Sequence, residues 1–316
     1  MFKYYLVDIF CVQAFSSVVL SVNSPEPFML QSFSGYAVRG LFYSIVKSVD
    51  ESYAELIHNS KDLSPFSVSP IFELSERGFR PCFDRVNSGP LEVHFTLFED
   101  RLNDVLISFI QGKLGGGEIL VGKSRVFFSK IFFNELYYEE FYKNAAPIQD
   151  FKIKFLTPTY FRMTPLSILS KDKRRLKVGR SGCRFLLFPD PILLFKSIAR
   201  IWRSFSHYSL DLNDFIDWLE YGGIAVSGYP NGIRTHIVYE HLTTNKWCIG
   251  FTGTVQFTII KDLYDEKMAK IAAALLKFAE YSNVGGGRTA GLGVVKFLPR
   301  SADEIRDVNS DQAEIS

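Results

Sequence analysis

The chain has little cysteine and almost no net charge. The first limits the metal and disulfide sites it can form, and the second limits how it can bind nucleic acid. Its four cysteines form no C-x-x-C pair and lie far apart, at Cys11, Cys82, Cys183 and Cys248. Such spacing argues against a structural zinc site and a disulfide framework, and it is typical of a reducing compartment. The net charge is only +2, so a surface for nucleic acid must come from local clusters of charge.

The sequence also lacks a long, uninterrupted hydrophobic run. Asp8 and Gln13 interrupt its most apolar stretch, Tyr4–Val22, and no Ala-x-Ala cleavage pattern follows. The stretch is rich in aromatic and β-branched residues, which favour strands. We therefore expect a buried strand or hairpin here, neither a targeting segment nor a membrane anchor, and a cytoplasmic protein.

Aromatic residues, in contrast, are abundant, with 30 Phe and 15 Tyr among 316 residues. The 47% hydrophobic and 22% charged content is that of a soluble globular protein. This length suffices for about two domains that each bury a core. Most of the aromatic rings must therefore lie in these cores, and the remainder can serve as stacking surfaces.

Hydrophobic periodicity predicts the same order of elements in both halves. The first half is predicted to contain a strand at 4–12, a helix at 33–49, a short helix ending near 59, strands at 67–74 and 92–97, a helix at 101–111 and a strand or hairpin at 118–133. Ser48 and Glu51 have capping-box spacing for the short helix. The second half is predicted to contain a strand at 151–155, a helix at 191–204, a hairpin at 223–239 turning at Pro230–Gly232, a strand at 248–259, a helix at 268–279 and a strand at 294–297.

Both halves therefore have the order β-α-β-β-α-β. This predicts an α+β protein with two tandem ferredoxin-like domains, at residues 1–140 and 148–300. We expect residues 138–147 to form the linker. The last segment, 301–316, carries five acidic residues against one Arg306, which indicates a disordered acidic tail.

A glycine-rich segment joins the last predicted helix to the last strand. It contains an arginine, Arg288, among five glycines: Gly285, Gly286, Gly287, Gly291 and Gly293. Glycines permit positive φ and leave backbone N–H groups uncovered, so a phosphate can approach closely. A dinucleotide fingerprint follows a strand and opens a helix, which is the reverse order. The loop is better suited to an extended anion such as a nucleic-acid backbone; the alternative is a tight helix-to-strand turn.

A second group of polar residues lies on the first two helices. Arg39, Tyr43 and Lys47 are four residues apart on the polar face of the first helix, and His58 and Lys61 end the next helix and follow it. Tyr, His and Lys brought together can cleave RNA without metal, through proton transfer and charge stabilisation; we name Arg39 and Lys47 as candidate RNA contacts. In the alternative interpretation, His58 only interacts favourably with a helix C-terminus.

A strongly basic run follows in the second half. Residues 171–184 contain seven basic residues and one acid. Such a run suits a loop that contacts phosphates, although a solvated charge run is equally compatible with it. We name five of these residues as candidate RNA contacts: Lys173, Arg174, Arg175, Lys177 and Arg180.

One motif points to a different class of protein, a nucleotide triphosphatase. Gly117–Ser124 matches the P-loop expression G-x-x-x-x-G-K-S. The intervening residues favour a strand, and residues 125–128 continue as a strand where a phosphate-binding helix should begin. We therefore interpret the match as accidental.

Several short segments occur in an order that resembles a known family. They are Gly40–Tyr43, Ala54–His58, Pro65–Pro70, Phe155–Phe161, Gly250–Val255 and Leu276–Val295. Together they resemble the CRISPR repeat-processing endoribonucleases of the repeat-associated mysterious protein (RAMP) superfamily. The last segment, with the glycine-rich loop, is the most specific of them, and the match extends over most of the chain.

The resemblance implies metal-independent cleavage of CRISPR repeat RNA in a cleft between two ferredoxin-like domains, without a cofactor. The products would carry a 5′-hydroxyl and a 2′,3′-cyclic phosphate. The family's catalytic tyrosine and histidine correspond to Tyr43 and His58. Its lysine position corresponds to Ser64, and Lys61 lies nearby. The resemblance leaves open a catalytically inactive guide-RNA-binding subunit, association with other subunits of an effector complex, and a homodimer.

Overall fold

The computed structural model describes residues 14–75, 78–112, 117–163, 184–241 and 246–299. Three predicted features lie outside these residues: the strand at 4–12, the five candidate RNA contacts at 173–180 and the acidic tail at 301–316. We call residues 14–137 the N-terminal lobe and residues 150–299 the C-terminal lobe. Among the helices in the described ranges, none has the length and hydrophobicity that a membrane span needs.

The N-terminal lobe contains nine strands and three helices among its described residues. The strands are β1 Ala14–Ser24, β2 Phe28–Met29, β3 Phe66–Val68, β4 Phe72–Ser75, β5 Gly78–Pro81, β6 Arg85–Val86, β7 Gly89–Leu97, β8 Glu118–Val121 and β9 Ser124–Tyr137. The helices are α1 Ser34–Val49, α2 Glu51–Asn59 and α3 Asp100–Gln111. The main sheet has the order β5-β4-β7-β1-β9-β8, and β3 also pairs with β7. Its central strand β1 is antiparallel to both β7 and β9.

Helix α1 covers this sheet because its apolar residues recur at helical spacing. Val38, Phe42 and Val46 are buried in the lobe's core. Helix α2 begins immediately afterwards, and its N-cap is Asp50, whose carboxylate accepts a hydrogen bond from the Tyr53 N–H at 3.0 Å. The predicted capping box was therefore wrong: the Ser48 hydroxyl instead donates to the Ile45 carbonyl, because an Asp directly before the helix is better placed to cap it.

Seven further strands and four further helices follow in the described part of the second half. The helices are α4 Tyr138–Lys143, α5 Pro191–Phe205, α6 Leu212–Glu220 and α7 Glu266–Ser282. The strands are β10 Asp150–Thr159, β11 Phe161–Met163, β12 Arg184–Leu186, β13 Ile224–Gly228, β14 Ile233–His241, β15 Lys246–Ile259 and β16 Val295–Pro299. The main sheet has the order β13-β15-β10-β16, and β14 also pairs with β15. Helix α4 occupies most of the predicted linker.

In the N-terminal lobe β1 lies between β7 and β9, and in the C-terminal lobe β10 lies between β15 and β16. All four pairings are antiparallel. This is the ferredoxin-like arrangement. The alternation that predicted β15 arises because Phe251, Val255 and Phe257 face the core, where they are fully buried. The structure therefore confirms the predicted α+β class with two tandem ferredoxin-like folds.

The predicted hairpin at 223–239 is wrong in one respect. Strands β13 and β14 do not reverse direction at Pro230–Gly232, since both pair antiparallel with β15. The last paired residue of β13, Gly228, lies opposite Gln256 of β15, and the first of β14, Ile233, lies opposite Gly253. Strands β13 and β14 therefore form one interrupted edge strand beside β15, and the residues between them bulge out of it. The Pro-Asn-Gly sequence marks a local turn without a reversal of the chain.

The P-loop-like segment forms a β-hairpin. Strands β8 and β9 pair directly, with Val121 opposite Ser124. Gly122 lies in the turn between them with φ +64°, a conformation that glycine adopts without strain. The expected strand after the motif is confirmed, so no helix N-terminus follows Lys123 to hold a phosphate.

The two lobes share apolar packing. Phe98, which follows β7, stacks on Phe205 at the end of α5, with centroids 4.9 Å apart and planes 10° apart. Phe15 of β1 lies edge-on to Phe278 of α7 at 5.5 Å. Both N-terminal-lobe rings belong to the core cluster of the C-terminal lobe. Contacts of this kind fix the position of one lobe against the other.

Candidate active site

The site begins with a tyrosine and a histidine on neighbouring helices. Tyr43 lies in the middle of α1, half-buried, and His58 lies exposed in the last turn of α2. Their ring centroids are 5.3 Å apart, and the ring planes meet at 84°. The structure therefore brings these two residues together. The pairing follows from the sequence because α2 starts two residues after α1 ends and returns along it, with Ala54 and Ile57 buried in the shared core.

Two other residues of α1 were predicted to share this face. The Arg39 guanidinium lies 5.6 Å from the centroid of the Tyr43 ring, so a positive charge stands directly beside the phenol. Lys47 lies one turn further on, and its ammonium is 2.9 Å from the Glu51 carboxylate. The hydrogen bond to Glu51 raises the pKa of Lys47. Arg39 thus adjoins the tyrosine, whereas Lys47 already has a protein carboxylate as its partner.

Beyond His58, the chain borders a cavity of about 790 Å³ between the lobes. The loop between α2 and β3 contributes Lys61, Asp62, Leu63 and Ser64, and the glycine-rich loop contributes Gly285 to Thr289. Lys61 is exposed. The loop therefore places its lysine on the wall of an interlobe cavity, three residues beyond His58.

Three further cations line this cavity, and the sequence did not single them out: Arg162, Lys196 and Arg200. Lys196 forms an ion pair with Glu220. Lys196 and Arg200 are four residues apart on the predicted helix at 191–204, and this i, i+4 spacing was the signal that could have identified them. Arg162 follows β10 with no comparable pattern. The cavity wall thus carries several positive charges from both lobes, as a polyanion site requires.

The glycine-rich loop divides into two parts. Gly285, Gly286 and Gly287 line the cavity and are partly exposed. The Gly285 N–H donates to the Ser197 hydroxyl at 3.1 Å, and the Gly286 N–H donates to the Tyr160 carbonyl at 3.0 Å. These two amides therefore already have protein acceptors. The predicted RNA contact of these three glycines stays a prediction, and two of the backbone N–H groups expected to bind phosphate are already bonded within the protein.

Gly291 and Gly293, predicted to contact RNA, are buried. Gly291 has φ +73°, and a Cβ there would lie 2.8 Å from the Pro70 nitrogen and 3.0 Å from the Gly35 Cα. Gly293 has φ +72°, and a Cβ there would overlap the Val284 backbone. Close packing of backbone against backbone therefore requires glycine at both positions, and the structure lends the predicted RNA contact of these two residues no support.

Arg288 was predicted to meet the RNA, and its guanidinium instead lies inside the protein. Its Nη1 donates to the Phe66 carbonyl at 2.8 Å, and its Nη2 donates to the Ser64 carbonyl. The group lies 5.6 Å and 5.9 Å from the ring centroids of Phe98 and Phe205. Burial, with a smaller effect of the Arg200 charge, lowers the pKa of Arg288 to about 9. Two of its donors are thus engaged with protein carbonyls, and the predicted phosphate contact stays a prediction.

The arrangement provides the groups that acid–base chemistry on a phosphodiester requires. An exposed imidazole stands beside a phenol, with Arg39 next to the phenol and Lys61 in the loop that follows the imidazole. Such groups can transfer protons and offset negative charge. Within the described ranges, no three His, Cys, Asp or Glu side chains cluster in a way that could hold a metal ion.

Comparisons with known proteins agree with the resemblance predicted from the sequence. Residues 153–295 match the family model described as CRISPR-associated endoribonuclease Cas6. This match starts within β10, covers β15, α7 and the glycine-rich loop, and ends at Val295, the first residue of β16. A search of curated protein sequences gave no match.

Solved structures share the fold over most of the chain. A Cas6 of Thermus thermophilus in its product complex has a TM-score of 0.69 at 19% identity, covering 90% of this chain and 100% of that chain. A Cas6-related protein from Pyrococcus furiosus has a TM-score of 0.53 at 10% identity, with coverage of 91% and 100%. A structure described as a RAMP protein binding different RNA substrates has a TM-score of 0.51 at 13% identity, with coverage of 90% and 100%.

At these identities the structural likeness shows a shared fold. Together with the family match, it confirms the predicted resemblance to RAMP-type, CRISPR repeat-processing proteins. The family match supports a CRISPR-related RNA-processing protein.

Proposed function

We propose that this protein is an endoribonuclease that cuts CRISPR precursor RNA within its repeats and releases guide RNAs. The observation that carries the proposal is the pairing of Tyr43 with His58, three residues before Lys61 on the wall of a cation-lined interlobe cavity. The Cas6 family match supports the substrate class. RNA fits the cavity because its phosphates match the cations and its 2′-hydroxyl supplies the nucleophile.

In the proposed reaction, the 2′-oxygen at the cleavage site forms a bond to the adjacent phosphorus. The bond between phosphorus and the 5′-oxygen of the next nucleotide breaks. Tyr43, as its phenolate, accepts the proton of the 2′-hydroxyl, or it orients this hydroxyl while solvent takes the proton. The protonated His58 imidazole donates its proton to the departing 5′-oxygen. The products are a 2′,3′-cyclic phosphate and a 5′-hydroxyl. No water is consumed, and no metal or cofactor enters the balance.

Positive charge is needed where the pentavalent phosphorane gains negative charge. Lys61 supplies it in this proposal, and Arg39 contributes through its position beside the Tyr43 ring. Arg200 and Arg162 hold flanking phosphates in the interlobe cavity. The predicted contacts at residues 173–180 remain part of the proposal as further phosphate ligands.

The test is incubation of repeat RNA with the protein in the presence of EDTA. The unaltered protein should cut the RNA, and His58→Ala should lower the single-turnover rate by about 10²-fold or more while RNA binding stays within twofold, because general acid catalysis contributes 10² to 10⁴. His207→Ala is the matched control, since His207 is also exposed but lies after α5. It should leave the rate unchanged.

Two outcomes would count against the proposal. Cutting that stops in EDTA would require a metal that the proposed reaction does not use. Tight binding of repeat RNA without any cutting would favour the alternative, a RAMP-type guide-RNA-binding subunit of an effector complex. Association with other subunits, or of two copies of this chain, stays a prediction.

A further inference from the structure

We propose that Arg288 is a positioning residue for the Tyr43–His58 pair. From the glycine-rich loop of the C-terminal lobe, it holds the segment Ser64–Phe66 of the N-terminal lobe in place. This inference rests on the proposed function, because the position of the pair matters only if the pair acts on RNA. It is an alternative to the phosphate contact that the sequence suggested for Arg288.

The bonds of Arg288 reach the segment that leads away from the active site. Its two terminal nitrogens donate to the Ser64 and Phe66 carbonyls. The chain between His58 and Ser64 is a short loop that carries Lys61. Because a loop of this length has few internal bonds, its path depends on how its far end is anchored. The pairing of β3 with β7 anchors that end within the N-terminal lobe, and Arg288 adds an anchor from the opposite lobe.

Phe66 connects Arg288 with the tyrosine, because its carbonyl bonds Arg288 and its ring contacts Tyr43. Its ring stacks on Phe42 of α1 at 4.1 Å with planes 25° apart, and it lies edge-on to Tyr43 at 5.7 Å and 87°. The Tyr43 ring thus has Phe66 on one side and His58 on another. A shift of the Phe66 backbone would move one of the surfaces that hold the tyrosine ring in its orientation.

Neighbouring hydrogen bonds attach the rest of β3 to the C-terminal lobe as well. The Asn283 amide donates to the Val68 carbonyl at 2.9 Å and to the Arg288 carbonyl at 3.1 Å. The Ser67 hydroxyl donates to the Tyr281 carbonyl at 2.8 Å. All three residues of β3 are therefore bonded to the end of α7 or the loop after it. Arg288 supplies the charged donor of the set and bonds the residues nearest to His58.

A guanidinium in this position is costly unless its bonds are made. Arg288 is 5% exposed, and burying a charge is unfavourable without partners. Two charge-assisted hydrogen bonds, together with the rings of Phe98 and Phe205, offset that cost. Since the planar guanidinium donates to two carbonyls at once through Nη1 and Nη2, a lysine could replace the charge but only one of the bonds.

The inference is tested by single-turnover cleavage at saturating RNA, with RNA affinity measured across a range of salt concentrations. Arg288→Ala should lower the cleavage rate about tenfold or more, while Kd stays within twofold and the slope of log Kd against log salt is unchanged. Low concentrations of guanidinium should restore part of the rate in Arg288→Ala, but not in His58→Ala. Arg288→Lys should be intermediate, and it serves as the test variant if Arg288→Ala does not fold.

Three results would overturn the inference. A weaker Kd with a salt slope reduced by about 0.7, as expected for one lost phosphate contact on single-stranded RNA, would make Arg288 an RNA ligand. An unchanged cleavage rate would remove any positioning role. A loss of rate that follows only the loss of folded protein in a thermal melt would leave Arg288 as a stabilising residue.

Failure of the proposed function is seen separately, in the unaltered protein. If that protein binds repeat RNA without cutting it, the proposed function is wrong, and the positioning role is wrong with it. If the unaltered protein cuts and Arg288→Ala cuts equally well, only the positioning role is wrong.

Discussion

The His58 imidazole stands edge-on to the Tyr43 ring, with centroids 5.3 Å apart and planes at 84°. The two residues are 15 positions apart in the sequence, on helices that pack against each other through buried side chains. Neither residue depends on a long loop for its position. A pair held in this way by rigid elements can act on one phosphodiester without reorganising.

Removing only the hydroxyl of Tyr43 should separate its chemical role from its packing. Tyr43→Phe keeps the ring contacts with His58 and Phe66, and should lower the single-turnover rate about tenfold to 10²-fold with little change in Kd. The control is Tyr221→Phe, since Tyr221 is 84% exposed. Equal rates for Tyr43→Phe and the unaltered protein would show that the Tyr43 hydroxyl takes no part in the reaction.

Two lysines near the site should behave differently when truncated. Lys61 lines the interlobe cavity, whereas Lys47 already pairs with Glu51. Lys61→Ala should therefore slow cleavage about tenfold and weaken RNA binding most at low salt, because it removes a charge that faces the RNA. Lys47→Ala should change either quantity by less than about twofold. The reverse order, measured over the same salt series, would mean that RNA displaces Glu51 and uses Lys47.

Two glycines should respond oppositely to the same substitution. Gly291→Ala places a Cβ against Pro70 in a backbone of positive φ, and should lower the free energy of unfolding by about 1–3 kcal/mol or more. Gly40 lies within α1, where an added Cβ would meet no atom within 4 Å. Gly40→Ala should raise the free energy of unfolding by about 0.5–1 kcal/mol. Chemical denaturation would measure both; equal effects would contradict the packing described for Gly291.

The cap of α2 should make stability depend on acid. Hydrogen bonds from Arg101, from the Tyr53 N–H and from Ser52 lower the pKa of Asp50 to about 2. A carboxyl with a lowered pKa stabilises the fold above its ordinary pKa near 4, and this contribution is lost as the pH falls towards 2. Asp50→Asn should thus lower Tm at pH 7, and the difference from the unaltered protein should shrink below about pH 4. A difference that is constant with pH would contradict this account.

Much of the fold could be predicted because its elements bury one face each. The apolar stripe of α1 and the alternation in β15 have the periods of the structures they form, and both were confirmed. The signal at Pro230–Gly232 was misleading, because turn residues specify a local bend but not whether the strand beyond it reverses. Only the pairing of both flanking strands with β15 decides that.

The site was predictable in part, for a similar reason. Tyr43 and His58 lie on adjacent helices, so short-range spacing could bring them together. Arg288 could not be placed, because its acceptors, the carbonyls of Ser64 and Phe66, are more than 220 residues away in the sequence. A glycine-rich loop with an arginine has the same sequence whether the arginine faces solvent or another lobe.

The most direct test of the central claim is cleavage of repeat RNA that carries a single 2′-deoxy sugar at the mapped cleavage site. If the 2′-hydroxyl is the nucleophile, the protein should bind this RNA as tightly as the unmodified strand and leave it uncut. Cutting of the deoxy-substituted RNA at that position, at the rate of the unmodified RNA, would contradict the account.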